Sequence, residues 1–400
     1  MTEQEAVIAL NMISGIGSQR LKKLWEAFGA APKVFLASED KLKKIEGIGD
    51  KIAQEITAFR FENLKKELDL VKKLKVRIIT LEDKEYPQNL KNIYDPPICL
   101  YLKGKLKEED VLSLAIVGSR RASFYGASCA EKFAYELAGL GVTIISGLAR
   151  GIDTQAHKGA LKATGRTIAV LGSGLSCIYP PENKGLSEEI AERGALLSEF
   201  PLNTKPLAQN FPRRNRVISG LSQAVLVVEA ARNSGALITA DFALEQGRDV
   251  FAIPGKVDSA TSLGTNRLIK QGAKLVDNVE DILEELKPKL EEFTKVQILA
   301  HSLERIADRK AGLHAKRSSV SAQKVAPIYD KQYVPICENE LSDDERLVYN
   351  FLNDKPRYAD ELIEELKLPS AKVISILSKL EMRKIVIQRP GKLFSKAGNP

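Results

Sequence analysis

Four hundred residues, 44% of them hydrophobic and 28% charged, exceed one ordinary domain, suit two or three, and exclude collagen-like, wholly disordered and integral-membrane classes. No apolar run approaches the roughly 18–20 residues of a spanning helix, and the polar, acidic start Met1-Thr2-Glu3-Gln4-Glu5 is unlike a secretory signal, so a cytoplasmic location is expected. Sixty Lys plus Arg against 52 Asp plus Glu give a net charge of +8, which permits a polyanionic partner without requiring one.

Residues 1–65 read as short helices carrying two similar phrases, Ile13-Ser14-Gly15-Ile16-Gly17-Ser18 and Ile45-Glu46-Gly47-Ile48-Gly49-Asp50. Each predicts a helix, a Gly-x-Gly hairpin and a second helix, and the pair resembles a helix-hairpin-helix tandem of the SAM-like kind. The glycines allow positive φ and can leave amides bare at a helix N-terminus, where a phosphate can sit. Glu46 and Asp50 oppose that use, so the alternative, glycines that merely turn a small bundle, stays open.

From 66 to about 112 a Lys-rich helix gives way to an irregular stretch with Tyr86-Pro87, Asp95-Pro96-Pro97 and a short strand at Ile98–Leu102. Prolines at that density preclude long elements, and the segment reads as an extension of the next domain, the whole core running over 66–292. Within it, residues 113–286 alternate helical patterns with short apolar runs: Leu114–Val117, Val142–Ile145, Ile168–Leu171, Ala195–Leu197, Ala224–Val228 and Val250–Ile253. Near-continuous apolarity indicates strands buried on both faces, with room for a helix between each pair. The fold class is therefore α/β, an extended Rossmann-like, doubly wound parallel sheet. Periodicity fails over 293–340, which reads as a linker. Residues 341–400 then offer three amphipathic helices, Asp343–Asn353, Tyr358–Leu366 and Ser370–Met382, and a hairpin-like end at Ile385–Phe394, the pattern of a winged helix.

Ligands of such a sheet bind outside the carboxyl ends of the strands. The first exit carries Gly118, Ser119 and Arg120, where glycine lets a ligand approach the backbone and hydroxyl, amides and guanidinium suit an anion. The second carries Ser146, Gly147 and Arg150, and the third Gly172-Ser173-Gly174, with Lys184 a further cation beyond it. Asp153 reads as a helix-capping residue and His157 as a structural histidine. The fifth exit carries Ser234 and Gly235, and the sixth Lys256.

The run Phe211-Pro212-Arg213-Arg214-Asn215-Arg216 opens the helix Val217–Leu221. Cations serve phosphates, a Phe face stacks on an unpaired base, and Asn bonds a base edge or a phosphate, a mixture that favours single strands over duplex. The bland alternative has Phe211 in the core and the arginines in salt bridges. No catalytic residues are expected, since no paired carboxylates and no nucleophile with a base stand at these exits. No metal site is expected either: Cys99, Cys129, Cys177 and Cys337 lack zinc spacing and read as small buried hydrophobes. Neither Gly-x-Gly-x-x-Gly nor a Walker A loop is present, so no nucleotide cofactor is expected.

These residues, with Gly118-Ser119-Arg120, Ser146 to Asp153 continuing to Ala156-His157, Phe211-Pro212-x-Arg214-Asn215-Arg216, Ser234-Gly235-x-x-x-Thr239-Ala240 and Gly247 to Gly255 in order, resemble the DNA-processing protein A (DprA, or Smf) family over essentially the whole chain. The resemblance implies non-catalytic binding of single-stranded DNA, its protection from nucleases, and loading of the recombinase RecA in natural transformation. It also implies a homodimer formed through the core, with Arg120 and its loop on phosphates and Phe211 and the neighbouring arginines on nucleotides.

Two rivals remain. A nucleotide phosphoribohydrolase on the same sheet would carry Pro-Gly-Gly-x-Gly-Thr and a Glu, where this chain has Asn233-Ser234-Gly235-Ala236-Leu237-Ile238-Thr239. A winged-helix regulator of duplex DNA would read bases with its recognition helix, but Lys372, Lys379 and Arg383 come with few groups for base edges, which favours a protein-contact or auxiliary role.

Overall fold

The computed structural model describes residues 1–286 and, in the C-terminal part, 343–352, 357–366, 373, 376, 377, 380, 386–389 and 393–396. The expected linker, 293–340, lies outside the described residues. The chain divides into two compact units, Met1–His314 and Ala315–Pro400.

The first unit begins with five helices, α1 (Glu3–Asn11), α2 (Ser18–Phe28), α3 (Ala31–Val34), α4 (Glu39–Lys43) and α5 (Asp50–Thr57). The two glycine phrases are the predicted hairpins. Gly15 and Gly47 stand at φ 85° and 86°, a left-handed conformation that side chains disfavour, and Gly17 and Gly49 cap α2 and α5. Arg20 ties the hairpins together, donating Nε–H to the Gly47 carbonyl at 2.8 Å and Nη1–H to the Gly15 carbonyl. Leu10, Leu21, Leu24, Leu42 and Ile56 close their core, each buried aliphatic side chain contributing about 1.5–3 kcal/mol. The first hairpin also docks on the sheet domain: the Ser18 hydroxyl donates to Asp95 Oδ1 at 2.7 Å and Asn11 Nδ2 to the Glu199 carbonyl at 3.0 Å. The Asp95 carboxylate thus lies against the amino end of α2.

Next come α6 (Phe61–Lys73), β1 (Arg77–Thr80), α7 (Gln88–Lys91) and β2 (Cys99–Gly104). The parallel core then runs β3 (Ser113–Val117), α8 (Phe124–Gly139), β4 (Thr143–Ser146), α9 (Ile152–Lys162), β5 (Thr167–Val170), α10 (Lys184–Arg193), β6 (Ala195–Ser198), α11 (Asn210–Leu221), β7 (Ala224–Val227), α12 (Gly235–Glu245), β8 (Asp249–Ala252), α13 (Leu263–Lys270) and β9 (Lys274–Leu275). The nine strands form one sheet in the order β1-β2-β6-β5-β4-β3-β7-β8-β9. Strands from β6 to β9 pair in parallel, while β1 and β2 add an antiparallel flank, which is how the sheet extends. The doubly wound sheet is the one the apolar runs predict; β1 and β9 are strands the sequence reading lacked.

Alternate residues of β3 face opposite cores: Ala115 and Val117 pack with Val217 and Ile218 of α11, and Leu114 and Ile116 with Phe133 of α8 and Ala156 of α9. Strand order reverses beside β3, whose neighbours are β4 and β7. That reversal opens a crevice at the carboxyl ends of β3 and β7. In the second unit, α14 (Asp343–Phe351) and α15 (Ala359–Leu366) accompany β10 (Arg357–Tyr358), β11 (Val386–Arg389) and β12 (Leu393–Lys396), sheet order β10-β12-β11. Of the expected third helix, Val373, Ile376, Leu377 and Leu380 are described, helical and buried with Val348, Leu362 and Phe394. Lys372, Lys379 and Arg383 lie outside the described residues.

Candidate nucleic-acid interface

The crevice is a cleft of about 790 Å³ lined by Gly118, Ser119, Arg120 and Arg121 after β3, by Asn233, Ser234 and Gly235 after β7, and by Phe211, Arg214 and Asn215 of α11, with Ala149, Asp153, Tyr179, Pro206 and Ala208 at its sides. Helix α11 starts at Asn210, so the arginine run lies inside a helix rather than ahead of one. Pro212 is tolerated there because first-turn amides have no acceptor to lose.

The loop after β3 is fixed from below. Ser119 N–H donates to the Glu229 carbonyl at 2.7 Å, the Ser119 carbonyl accepts from Ile152 N–H at 3.2 Å, and the Ser119 hydroxyl accepts from Arg121 N–H at 3.1 Å. The amide of Ser119 is therefore not free for a ligand, contrary to what the turn suggests in sequence. Buried Glu229 accepts from Ser123 N–H at 2.8 Å, placing a carboxylate at the amino end of α8, where dinucleotide folds seat a pyrophosphate. Across the cleft, Ser234 Oγ caps α12 by accepting from Ala236 N–H at 3.3 Å, and Gly235 leaves this helix end exposed to the cleft.

The arginines divide by environment. Arg120 is exposed, makes no ion pair among the described residues, and rests its guanidinium carbon 5.0 Å from the Phe211 ring centroid. Arg121 beside it is also exposed. Arg214 is 4% exposed. It donates to the carbonyls of Gly147, at 2.6 Å, and Val170, and through Nε to Asn215 Oδ1 at 3.2 Å. A Cβ on Gly147 would stand 2.3 Å from Arg214 Nη1, so only glycine admits the guanidinium at this point. Burial pulls the Arg214 pKa down to about 10, against the pull of Asp153 and with a push from Arg120; it remains charged at neutral pH. Burial likewise raises the pKa of Asp153, while Arg214, the Ala149 amide, the Ser146 hydroxyl and Arg120 draw it down. Asn215 Nδ2 donates to the Gly235 carbonyl at 3.2 Å, stitching α11 to α12.

The remaining residues named from the sequence do not line the cleft. Ser146 is buried, its hydroxyl donating to the Ile116 carbonyl at 2.6 Å, and Gly147 is buried beneath Arg214. Arg213 lies over Phe200, 5.3 Å from the ring centroid, and 3.7 Å from Glu199. Arg216 is 9% exposed and paired with Glu199 and Asp95. Arg150 is paired with Glu182. Lys184, on α10, and Lys256, beyond β8, are exposed elsewhere on the surface. The bland alternative of arginines in salt bridges thus describes Arg213 and Arg216 of the run, and not Arg214, whose guanidinium goes to backbone carbonyls. The Gly172-Ser173-Gly174 turn is buried too, with the Gly174 amide donating to Thr204. Asp153, expected as a cap, accepts from Ala149 N–H at 3.2 Å and so braces the turn before α9. His157 is fully buried, with Nδ1 2.7 Å from Thr167 Oγ1 and Nε2 without a hydrogen-bond partner among the described residues. Sequence reasoning passed over Arg121, Tyr179 and Asn233; the neighbouring Arg120 and Ser234, and the Tyr179-Pro180 pair, were the available signals.

Among the described residues lining the cleft, Asp153 is the sole carboxylate, and it lies sealed with Arg214. The mouth therefore presents exposed Arg120 and Arg121, aromatic rings and a helix amino end, a composition that attracts a polyanion bearing flat, unpaired groups.

The family model described as DNA recombination-mediator protein A matches residues 77–287, the DprA winged helix domain matches 337–392, and a SAM-like helix-hairpin-helix tandem matches 7–59. The chain is 34% identical over 403 aligned residues to Protein Smf of Synechocystis, covering 99% of each. It is 40% identical over 283 residues to the DNA processing protein DprA of Bacillus subtilis, covering 69% of this chain and 92% of that one. The crystal structure of DNA processing protein A from Streptococcus pneumoniae matches with a TM-score of 0.62 at 38% identity, over 71% of this chain and 98% of the other.

Proposed function

The chain belongs to the DprA/Smf family, and from that premise we propose that it binds single-stranded DNA in the cleft at the β3/β7 reversal without chemically altering it. The observation that carries this reading is the pairing of exposed, uncompensated Arg120 with the aromatic ring of Phe211 at the cleft mouth. A cation for phosphate beside rings for a base suits a strand whose bases are free, which a duplex does not offer. Glu229 at the amino end of α8 disfavours a nucleotide phosphate at the usual Rossmann seat, which argues against the phosphoribohydrolase reading. The lining holds no histidine or cysteine among the described residues, and its one carboxylate, Asp153, is buried against Arg214, which disfavours general-base work there.

In this reading the protein shields incoming single strands and passes them to RecA during natural transformation in the cytoplasm. Two copies joined through the 66–292 core give a longer track, since linked sites raise apparent affinity. Residues 1–65 brace that core, and the winged helix 341–400, beyond the 293–340 linker, serves as an auxiliary contact module. Among the described residues no helix is long and apolar enough to cross a membrane, and no membrane partner is proposed.

Titration with labelled oligo-dT at several salt concentrations tests the reading. Phosphate neutralisation releases counterions, so log affinity falls linearly and steeply with log salt. A salt-independent affinity, or duplex competing as well as single strand, would contradict it. Release of adenine from AMP would favour the enzyme.

A further inference from the structure

Phe211 is the aromatic that the sequence singles out, yet its ring is hemmed in. The Arg120 guanidinium carbon lies 5.0 Å and that of Arg214 6.0 Å from its centroid. At its edge, a Cβ on Gly172 would stand 2.9 Å from Phe211 Cδ1. Tyr179, from the segment that follows β5, lines the same cleft. Its ring centroid is 6.0 Å from that of Phe211, tilted by 57°, and 38% of the residue is exposed. Tyrosines that serve packing in this unit look different: Tyr86 and Tyr101 are 1% and 0% exposed, and the Tyr86 hydroxyl donates to the Pro97 carbonyl. Tyr94, Tyr125 and Tyr135 are exposed but do not line the cleft.

We propose that Tyr179 is a nucleobase-stacking residue of this cleft, offering its exposed aromatic surface to an unpaired base while Arg120, which contacts the same Phe211 ring, takes the adjoining phosphate. The proposal rests on the single-strand reading above and adds a residue to it. Stacking needs an aromatic surface that water can be cleared from and a cation near enough to hold the backbone beside it. Tyr179 has both, since Arg120 and Tyr179 each contact or cover the same Phe211 ring. Arg150, which Tyr179 also influences, is held by Glu182, so the cleft cations left free for phosphate are Arg120 and Arg121.

The test compares Tyr179→Ala, Tyr179→Phe and Tyr179→Trp with the parent, using oligo-dT and an abasic oligonucleotide of the same length at one fixed salt concentration. Tyr179→Ala weakens oligo-dT binding about tenfold, equivalent to about 1.4 kcal/mol, and leaves the abasic strand within about twofold. Tyr179→Phe keeps parental affinity for both, because the ring and not the hydroxyl does the stacking. Tyr179→Trp adds emission above that of the single native tryptophan, Trp25, and oligo-dT quenches the added signal while the abasic strand does not. Equal losses on both strands for Tyr179→Ala, or no loss on either, overturn the proposal, as does an added tryptophan signal indifferent to oligo-dT. If the parent binds neither strand, the single-strand reading fails and this proposal with it; if the parent binds oligo-dT and Tyr179→Ala matches it, only this proposal falls.

Discussion

Arg216 and Glu199 form an ion pair closed off from solvent where the first helical hairpin meets the sheet domain. Their side chains are 10% and 6% exposed, with Arg216 Nη2 on Glu199 Oε2. Arg216 also donates to the Asp95 carbonyl, Arg213 approaches the same carboxylate at 3.7 Å, and Asn11 holds the Glu199 carbonyl. Burial raises the Glu199 pKa, and the two guanidiniums draw it back.

Removing Glu199 leaves buried Arg216 with only the longer Asp95 contact, at 3.7 Å, to offset its charge. Glu199→Ala is expected to destabilise the protein by about 3–5 kcal/mol, seen as a lower denaturant midpoint. Oligo-dT affinity of the folded variant changes less than for Arg120→Ala, because neither Glu199 nor Arg216 lines the cleft. A parental midpoint would show that Arg216 finds another partner.

Arg120 and Arg214 should separate binding from stability. Arg120→Ala lowers oligo-dT affinity and reduces the salt slope by about 1, with stability within about 0.5 kcal/mol of the parent, since the side chain is exposed and unpaired. Arg214→Ala strips the donor from the Gly147 and Val170 carbonyls, at about 1–3 kcal/mol per stranded group, and takes from buried Asp153 the stronger of its two compensating arginines. Any loss of binding in Arg214→Ala therefore comes with a lowered midpoint, and Arg214→Lys restores it only in part, because one ammonium can replace Nη1 on the two carbonyls but supplies no second nitrogen for Asn215 Oδ1. Measuring midpoint and affinity on the same samples decides; a fully stable Arg214→Ala would refute the assignment.

His157 should mark the acid limb of stability. It is fully buried, and burial, helped by Arg214, holds its pKa down to about 3 from 6.5. The unfolded chain binds this proton below about 6.5 while the folded one refuses it until about 3. The stability it contributes is thus complete above about pH 6.5 and lost as pH falls toward 3, at a slope approaching about 1.4 kcal/mol per pH unit. His157→Gln should flatten the parent's decline between pH 6.5 and 4.5 by that amount. Parallel curves for parent and variant would show that His157 is not the group responsible.

Much of this was legible in the sequence because the strands around the reversal are buried on both faces. Leu114–Val117 and Ala224–Val228 stand out as apolar runs, and their exits could be named in advance. Strand β1, Arg77-Ile78-Ile79-Thr80, has polar ends and an exposed first residue, and β9 is two residues long, so neither rises above its surroundings. The duties of the arginines were hidden for another reason. Once Pro212 is placed in the first turn of α11, helical spacing sorts the run: Phe211, Arg214, Asn215 and Ile218 share the face toward the cleft, while Arg213 and Arg216 share the face toward Glu199. Read as a segment ahead of the helix, the same six residues give one undivided cationic patch. The groups that claim Arg216, the carbonyl and carboxylate of Asp95 and the carboxylate of Glu199, lie 121 and 17 residues away, beyond the reach of any local pattern.

Asp95 has a further consequence for residues 1–65. A visiting phosphate at the amino end of α2 would have to evict a carboxylate tethered to the same molecule, and tethering keeps such an occupant at a high local concentration. The first hairpin is thus a lock already fitted with its key. Crosslinks from a passing nucleic acid to this hairpin would record proximity rather than grip, and substituting Asp95→Asn would be the way to reopen the seat.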